Sequence, residues 1–248
     1  MKIKKSVFFL MIISLIFMIG FVRSDKKSIG KVNFVLGGRG DIKVNHQGQR
    51  TWSNARLFSP VYNGDRFRTL SESRCEIRLA KKGTIRIGEN ADFTFKHDPI
   101  TGKGNSTLKK GRFWASIKGL FKQNRFQIRT PTAVCSIRGT IYRIDADSST
   151  KVLVYDGAVD VGPAWMGEDD STKNTRQTPR FQKPVEVQGP TVVPGPFEVT
   201  LDQWVRIVAG YQIEVRADGK YNKTKIDKNT DQEDDWVKWN KQRDVIKY

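Results

Sequence analysis

Arg129-Thr130-Pro131-Thr132-Ala133-Val134-Cys135-Ser136-Ile137-Arg138-Gly139-Thr140, continued by Ile141-Tyr142-Arg143-Ile144 and then by Val152-Leu153-Val154-Tyr155-Asp156-Gly157-Ala158-Val159-Asp160-Val161, is the stretch that decides the fold. β-Branched and aromatic runs are bounded here by Pro, Gly, Asp and Ser, which reads as strand, tight glycine-containing connection, strand, turn and strand. Outward from this stretch, apolar residues stand at every second position: Cys75, Ile77 and Leu79; Ile85 and Ile87; Phe93 and Phe95; Phe126 and Ile128. A period of two with polar alternates is the pattern of half-buried strands. Lys31 to Leu36 reads as a first strand, and Gly37 to Asp41 as a turn into Ile42-Lys43-Val44. The expected class is all-β: a stacked-sheet sandwich, a jelly-roll-like barrel or a short β-solenoid, with a short C-terminal helix.

Trp52, the block Gly64-Asp65-Arg66-Phe67-Arg68-Thr69, Ala80 to Gly83 and Ile85-Arg86-Ile87-Gly88 precede the deciding stretch. In this order the blocks resemble the FecR domain of the ferric-citrate-regulator type, an all-β module of bacterial envelope proteins. The resemblance covers residues 30–162, and Trp204 to Val215 is similar to the family's closing strand pair. Its motif positions are Gly64, Asp65, Arg68 and Thr69; Thr130, Pro131, Arg138, Gly139 and Thr140; and Asp156 and Gly157, all of which read as structural. The family's regulators join a cytoplasmic anti-sigma segment, through one membrane span, to an outer FecR part that receives a signal from an outer-membrane iron transporter. Here only Met1 to Lys5 precede the apolar segment, too little for a sigma-binding domain, so direct anti-sigma activity is not expected. No second subdomain of the transporter-docking type is visible. Short β words also recur: Arg66-Phe67-Arg68-Thr69 and Gln127-Ile128-Arg129-Thr130 each precede a Cys-bearing strand, a hint of internal repetition.

The formal net charge is +18 over 248 residues. The first 24 residues hold four basic groups and no acid, leaving 40 basic against 26 acidic groups, or +14, on the remainder. That balance favours polyanions as partners. Met1-Lys2-Ile3-Lys4-Lys5 followed by the uncharged run Ser6 to Val22 has the form of a secretory n-region and h-region. Two outcomes stay open for residues 1–24: cleavage near Ser24 as a signal peptide, or retention of residues 6–22 as a single-span anchor. Either places the folded part in the periplasm or otherwise outside the cytoplasm, so nucleic acid is not an expected partner. Cys75 and Cys135, both on apolar strand phases, permit one disulfide or two buried thiols.

The β domain is expected over residues 30–162, followed by a Pro-rich polar loop or linker at 163–196 with an edge strand at Val185 to Val187. Returning strands of the same domain occupy 197–216, and 217–248 reads as a polar tail, loose from Lys220 to Gln232. Asp231-Gln232-Glu233-Asp234-Asp235 ahead of Trp236-Val237-Lys238-Trp239 is an acidic helix start, with basic residues toward the finish. Trp236, Trp239 and Arg243 share one helical face, which either docks on the sheet or presents an aromatic anchor to a partner.

His46 and His97 lie far apart without ligand-spaced companions, and Asp145, Asp147, Glu168, Asp169 and Asp170 sit in turn or linker composition. No catalytic residue, cofactor or metal is therefore expected. Arg39-Gly40-Asp41 and Gly102 to Thr107 read as turn and hairpin tip. Arg66, Arg68, Arg74, Arg78, Arg86, Arg112, Arg125, Arg129, Arg138 and Arg143 alternate with apolar neighbours, as expected for outer sheet faces that are either solvated or a stripe for an anionic ligand. The expected function is an exported, non-enzymatic FecR-like module that binds or senses an envelope protein through its sheet and Trp-bearing tail, with Trp114, Trp236, Trp239 and Arg243 as contact residues. A basic scaffold for anionic cell-wall glycan is the alternative, and a glycan-active enzyme a remote one.

Overall fold

The computed structural model of the protein describes residues 27–80, 83–96, 104–117, 126–137, 139–167, 199–201 and 203–245. Its strands form two sheets. Sheet A runs β4 (Pro60–Val61), β1 (Gly30–Leu36), β6 (Arg74–Leu79), β7 (Gly83–Ile87), β9 (Gly104–Ile117), β12 (Ile141–Ala146), β13 (Thr150–Asp156), β17 (Tyr211–Val215), β18 (Lys220–Lys225) and β15 (Val199–Thr200). Sheet B runs β3 (Ser53–Asn54), β2 (Ile42–Asn45), β5 (Arg66–Thr69), β8 (Asp92–Thr94), β9 again, β10 (Phe126–Arg129), β11 (Ala133–Ile137), β14 (Ala158–Pro163) and β16 (Val205–Val208). Among these pairings only β9 with β10 is parallel.

The strand common to both sheets is β9. Its first half lies between β8 and β10, and its second half between β7 and β12. Gly111 marks the change of sheet, with φ +96° and with the place of a Cβ only 2.4 Å from the Ala91 Cβ. A side chain is excluded there twice, by backbone conformation and by space. The inward residues of both sheets, among them Ile77, Ile85, Ile87 and Ile144 from sheet A and Phe67, Leu108, Ile128 and Cys135 from sheet B, enclose one apolar core. A run of rings crosses it: Phe126 to Phe95 at 6.0 Å, Phe95 to Phe93 at 6.1 Å, Phe93 to Phe113 at 5.0 Å and Phe113 to Tyr142 at 6.1 Å. Tilted and edge-on rings at these separations add to simple area burial. The architecture is the stacked-sheet form of the all-β expectation.

Two details differ from the sequence reading, and a third decides between alternatives it left open. The repeated β words are not structural repeats, since β5 and β6 belong to different sheets whereas β10 and β11 pair with each other. The stretch read as loose from Lys220 contains β18 and helix α1 (Lys228–Glu233). Lys220-Tyr221-Asn222-Lys223-Thr224-Lys225 has no apolar periodicity because backbone pairing with β17, not burial, holds it in place. Cys75 and Cys135 are separate free thiols of the core, on β6 and β11, so the disulfide is not formed. Burial pushes both thiols up to about 12, and for Cys75 the neighbouring Glu76 adds to the shift. The strand expected at Val185 to Val187 lies outside the described residues.

Gly111→Ala is expected to destabilise the fold by about 2 kcal/mol or more, through strain and overlap together. Gly210→Ala, also at positive φ (+85°) but with nothing within 4 Å, should cost only about 1 kcal/mol. Urea unfolding of the two variants checks the difference.

Candidate functional site: a helix clamped over the outer face of sheet A

Strand alternation sends every second residue of sheet A away from the core. The registers align these residues in one row across five strands: Phe34 (β1) opposite Glu76 (β6), Glu76 opposite Arg86 (β7), Arg86 opposite Trp114 (β9), and Trp114 opposite Arg143 (β12). Polar residues on an outer face are ordinarily solvated, but these are not. Glu76 is 1% exposed, Arg86 2% and Trp114 0%.

Their cover is the C-terminal pair α1 and α2 (Asp235–Val245). Asp227 caps α1, its Oδ1 accepting from Asn229 N at 3.1 Å, and Asp234 caps α2, its Oδ1 accepting from Trp236 N at 2.9 Å. Asp235 in the first turn and Arg243 in the last suit the helix dipole. The face of α2 that meets the sheet carries Trp236, Val237 and Asn240, all buried. Trp236 and Val237 pack with Trp114, Tyr155 and Ile141 in a second apolar cluster on the far side of sheet A from the core. Trp114 stacks on Tyr155 at 4.6 Å, Trp236 on Trp239 at 5.4 Å, and Trp239 leans on Phe34 at 5.7 Å.

Charge pairing surrounds this cluster. Arg86 Nε donates to Glu76 Oε2 at 2.6 Å, while its Nη1 donates to Asp244 Oδ1 at 2.7 Å. Glu76 also accepts from Arg243 Nε at 2.8 Å and from Asn33 Nδ2 at 2.6 Å. The second oxygen of Asp244 accepts from Trp114 Nε1 at 3.0 Å, and the Arg243 guanidinium lies 4.2 Å from the Phe34 ring centroid. At the other end Arg143 meets Asp145 at 2.6 Å and Asp234 at 3.0 Å, Arg112 Nη1 donates to Asp234 Oδ1 at 3.1 Å, and Tyr155 Oη and Lys241 Nζ donate to Asp231 at 2.7 and 3.0 Å. Five cations, Arg86, Arg112, Arg143, Lys241 and Arg243, thus face five carboxylates, Glu76, Asp145, Asp231, Asp234 and Asp244.

Burial alone would raise the Glu76 pKa, yet the hydrogen bonds from Arg243, Arg86 and Asn33 outweigh it and hold the group at about 2. Asp234 is likewise lowered, against burial, by Arg112 and Arg143. For Arg143 burial works against the charge, but Asp145 and Asp234 prevail and raise the pKa. Burial and then Asp231 raise that of Tyr155.

Trp114, Trp236, Trp239 and Arg243 are therefore gathered into one place, but as a clamp. The expectation that Trp114 meets a partner is corrected, because the helix seals it completely, and Trp236 is also buried. The expectation of open arginines on this face fails for Arg86 and Arg143 for the same reason.

The motif positions close turns. Asp65, fully buried, accepts from Tyr62 N at 2.8 Å and meets His46 Nδ1 at 3.0 Å, beside Gly64 at φ +89°. Thr69 Oγ1 donates to Gly88 O at 2.6 Å and accepts from Ala91 N at 2.9 Å. Arg68 Nε donates to Asp92 at 3.0 Å and its guanidinium lies 4.5 Å from the Trp52 ring centroid. Thr130 Oγ1 donates to Ala133 O at 2.9 Å beside exposed Pro131, and Gly157 abuts Thr140 across the turn after Asp156. Gly139 is exposed, while Arg138, His97 and residues 168–170 lie outside the described residues. Among the described residues no three His, Cys, Asp or Glu side chains are grouped to hold a metal, and no helix is long and apolar enough to cross a membrane. Residues 6–22 are not among those described.

Sequence reasoning missed an apolar surface near the edge of sheet B. Trp165 is 62% exposed, Val208 43% and Trp204 37%. Trp204 and Met166 lie against Gly162, where a Cβ would come within 3.1 Å of the Trp204 ring and 3.3 Å of the Met166 sulfur. The available signal was two tryptophans bordering a Pro-rich polar segment.

Fold and clamp together define an all-β sandwich module whose outer face is closed by its own C-terminal helix. Residues 65–160 match the family model described as FecR protein, so this stretch is similar to the FecR domain. Two crystal structures of a candidate anti-sigma factor from Parabacteroides distasonis ATCC 8503, at 2.50 and 1.65 Å, are similar over 67% of this chain, with 14% and 15% identity and TM-scores of 0.46 and 0.45. The chain spans 63% of the length of each. No curated protein matches the sequence.

Glu76 has its pKa lowered from 4.5 to about 2. Its charge therefore stabilises the fold fully above pH 4.5, and that contribution, roughly 3 kcal/mol, is lost as pH falls toward 2. Glu76→Gln is expected to lose about 3 kcal/mol at pH 7, since it strands Arg86 and Arg243. It should also flatten the stability curve between pH 4.5 and 2. Urea unfolding across that range, with wild type and variant side by side, reads both effects.

Proposed function

We propose that this protein is an exported, non-enzymatic FecR-like regulatory module that binds or senses a protein partner at the bacterial cell envelope. The similarity to the FecR domain over residues 65–160 supports the regulatory part of this reading. The observation that most supports partner binding is the apolar strip beside sheet B. By strand alternation Trp204, Arg206 and Val208 face one way along β16, with Trp165 nearby in the turn (Ala164–Gly167) that follows β14. Exposed clusters of large apolar groups rimmed by charge mark interaction sites. Tryptophan at such a site supplies a large contact area and anchors binding energy. Arg206, paired with Asp160 at 2.8 Å, supplies the charged rim.

A second reading, a scaffold for anionic glycan, is favoured by one observation. The ion pairs of the clamp match five cations with five carboxylates, so they leave the surplus of +14 beyond residue 24 unneutralised.

The test is a photo-crosslinking amino acid at Trp165 in the full-length protein in intact cells, followed by recovery under denaturing conditions and mass spectrometry. One dominant envelope protein is expected, with its yield cut several-fold by Trp204→Ala. Wall fragments alone, released by high salt, would move the function to the glycan scaffold. Unchanged capture in the Trp204→Ala variant would remove the strip from the argument.

A further inference from the structure

Arg56-Leu57-Phe58-Ser59 is a tight turn between β3 and β4, closed by Ser59 N donating to Arg56 O at 3.1 Å and by Arg56 N donating to Ser59 Oγ at 3.3 Å. Phe58 occupies its third position with φ +64°. That position at positive φ is where glycine or asparagine is favoured, and a bulky side chain there is strained. The strain does not serve burial, because Phe58 is 65% exposed and its neighbour Leu57 51%. The turn is fastened to the start of the domain: Phe58 N donates to Val32 O at 2.8 Å, and Val32 N to Ser59 O at 2.9 Å. Two large apolar groups are thus held in water at a rigid tip.

Two cations flank the tip. Lys31 Nζ lies 5.5 Å from the centroid of the Phe58 ring, and Arg56 is exposed at the base of the turn. The uncharged run Ser6 to Val22 ends seven residues before Ile29. Ile29 N donates to Val61 O at 2.8 Å, on the strand that leaves the turn. Seven extended residues reach about 25 Å at most. A run held in a bilayer keeps Ile29 within that distance of lipid, and the Leu57–Phe58 tip, bonded at Val32, lies three strand residues or about 10 Å farther along β1.

We propose that the Leu57–Phe58 turn inserts into the headgroup region of an anionic lipid bilayer and docks the β domain on the membrane beside its N-terminal segment. The reading of residues 6–22 as a retained span is the premise for proximity. Apolar tip and basic rim match the two layers of such a surface, acyl boundary and anionic headgroups, as they do for amphipathic surface anchors.

The test uses the full-length protein reconstituted with phosphatidylcholine–phosphatidylglycerol vesicles that carry an acyl-chain quencher. A single fluorophore is placed by maleimide at Pro60→Cys, exposed two residues beyond Phe58, or as control at Ala217→Cys in the exposed turn between β17 and β18. The native thiols Cys75 and Cys135 are buried, with pKa values pushed to about 12, and spare the label. Across sheet A the control sits six strand steps from β1, about 29 Å. The label at position 60 is expected to shift to the blue and to be quenched several-fold more than that at 217, and Leu57→Ser with Phe58→Ser should abolish the difference. Equal quenching at both positions in vesicle-bound protein overturns the proposal and leaves the span intact. Loss of the protein on a carbonate wash overturns the span. The turn is then judged by the same comparison made before the wash: stronger quenching at 60 sustains it and equal quenching overturns it.

Discussion

The rest of the molecule depends on keeping the Arg86 guanidinium charged at 2% exposure. A buried cation without partners costs several kcal/mol, and here the compensation comes from two directions. Glu76 stands beside it on the neighbouring strand, and Asp244 arrives from the last turn of α2. Neither suffices alone, because Glu76 is itself shared with Arg243. The position of the helix is therefore set by charge geometry as much as by the stacking of Trp236, and Trp114 is sealed as a consequence. An all-apolar cover would bury as much area but would not fix the helix along the sheet. Asp244 does so by binding Arg86 with one oxygen and the Trp114 indole with the other.

Most of the fold was legible because period-two alternation is a direct image of the sheet. Cys75, Ile77 and Leu79, or Phe93 and Phe95, point inward as their spacing requires. The outward assignment of Arg86 and Arg143 was also right, yet it carried the wrong environment. Alternation reports which side of the sheet a residue takes but not what lies over that side. The grouping of Trp236, Trp239 and Arg243 on one helical face was visible, but its target on β1, β6 and β9 was not, since no local pattern encodes a contact between Glu76 and Arg243. β18 escaped notice because Lys220-Tyr221-Asn222-Lys223-Thr224-Lys225 is stabilised by main-chain bonds, which every residue can make. The exposed Trp165 and Trp204 escaped because tryptophan in sequence suggests core or docking helix, and only coordinates separate those from a surface.

The two sheets consequently present unlike outer faces. That of sheet A is covered by the chain's own helix along the row on β1, β6, β7, β9 and β12, with charges paired and aromatics stacked there. That of sheet B keeps an apolar strip at β16 and, at the opposite end, Arg68 over Trp52. The Leu57–Phe58 turn belongs to neither face and projects where the domain begins.

The β9 strand has a kinetic meaning. It is the only strand pairing within both sheets among those described, so neither sheet is complete until residues 104–117 have been made and have bent at Gly111. The clamp closes later still, because the contacts of Arg86 with Asn240 and Asp244 span 154 and 158 residues of chain. Contacts of such separation form late and slowly. A growing or emerging chain must hold Arg86 in water and Trp114 uncovered until its final turn of helix is available. Completion of this eleven-residue helix is then what seals Trp114 and Arg86.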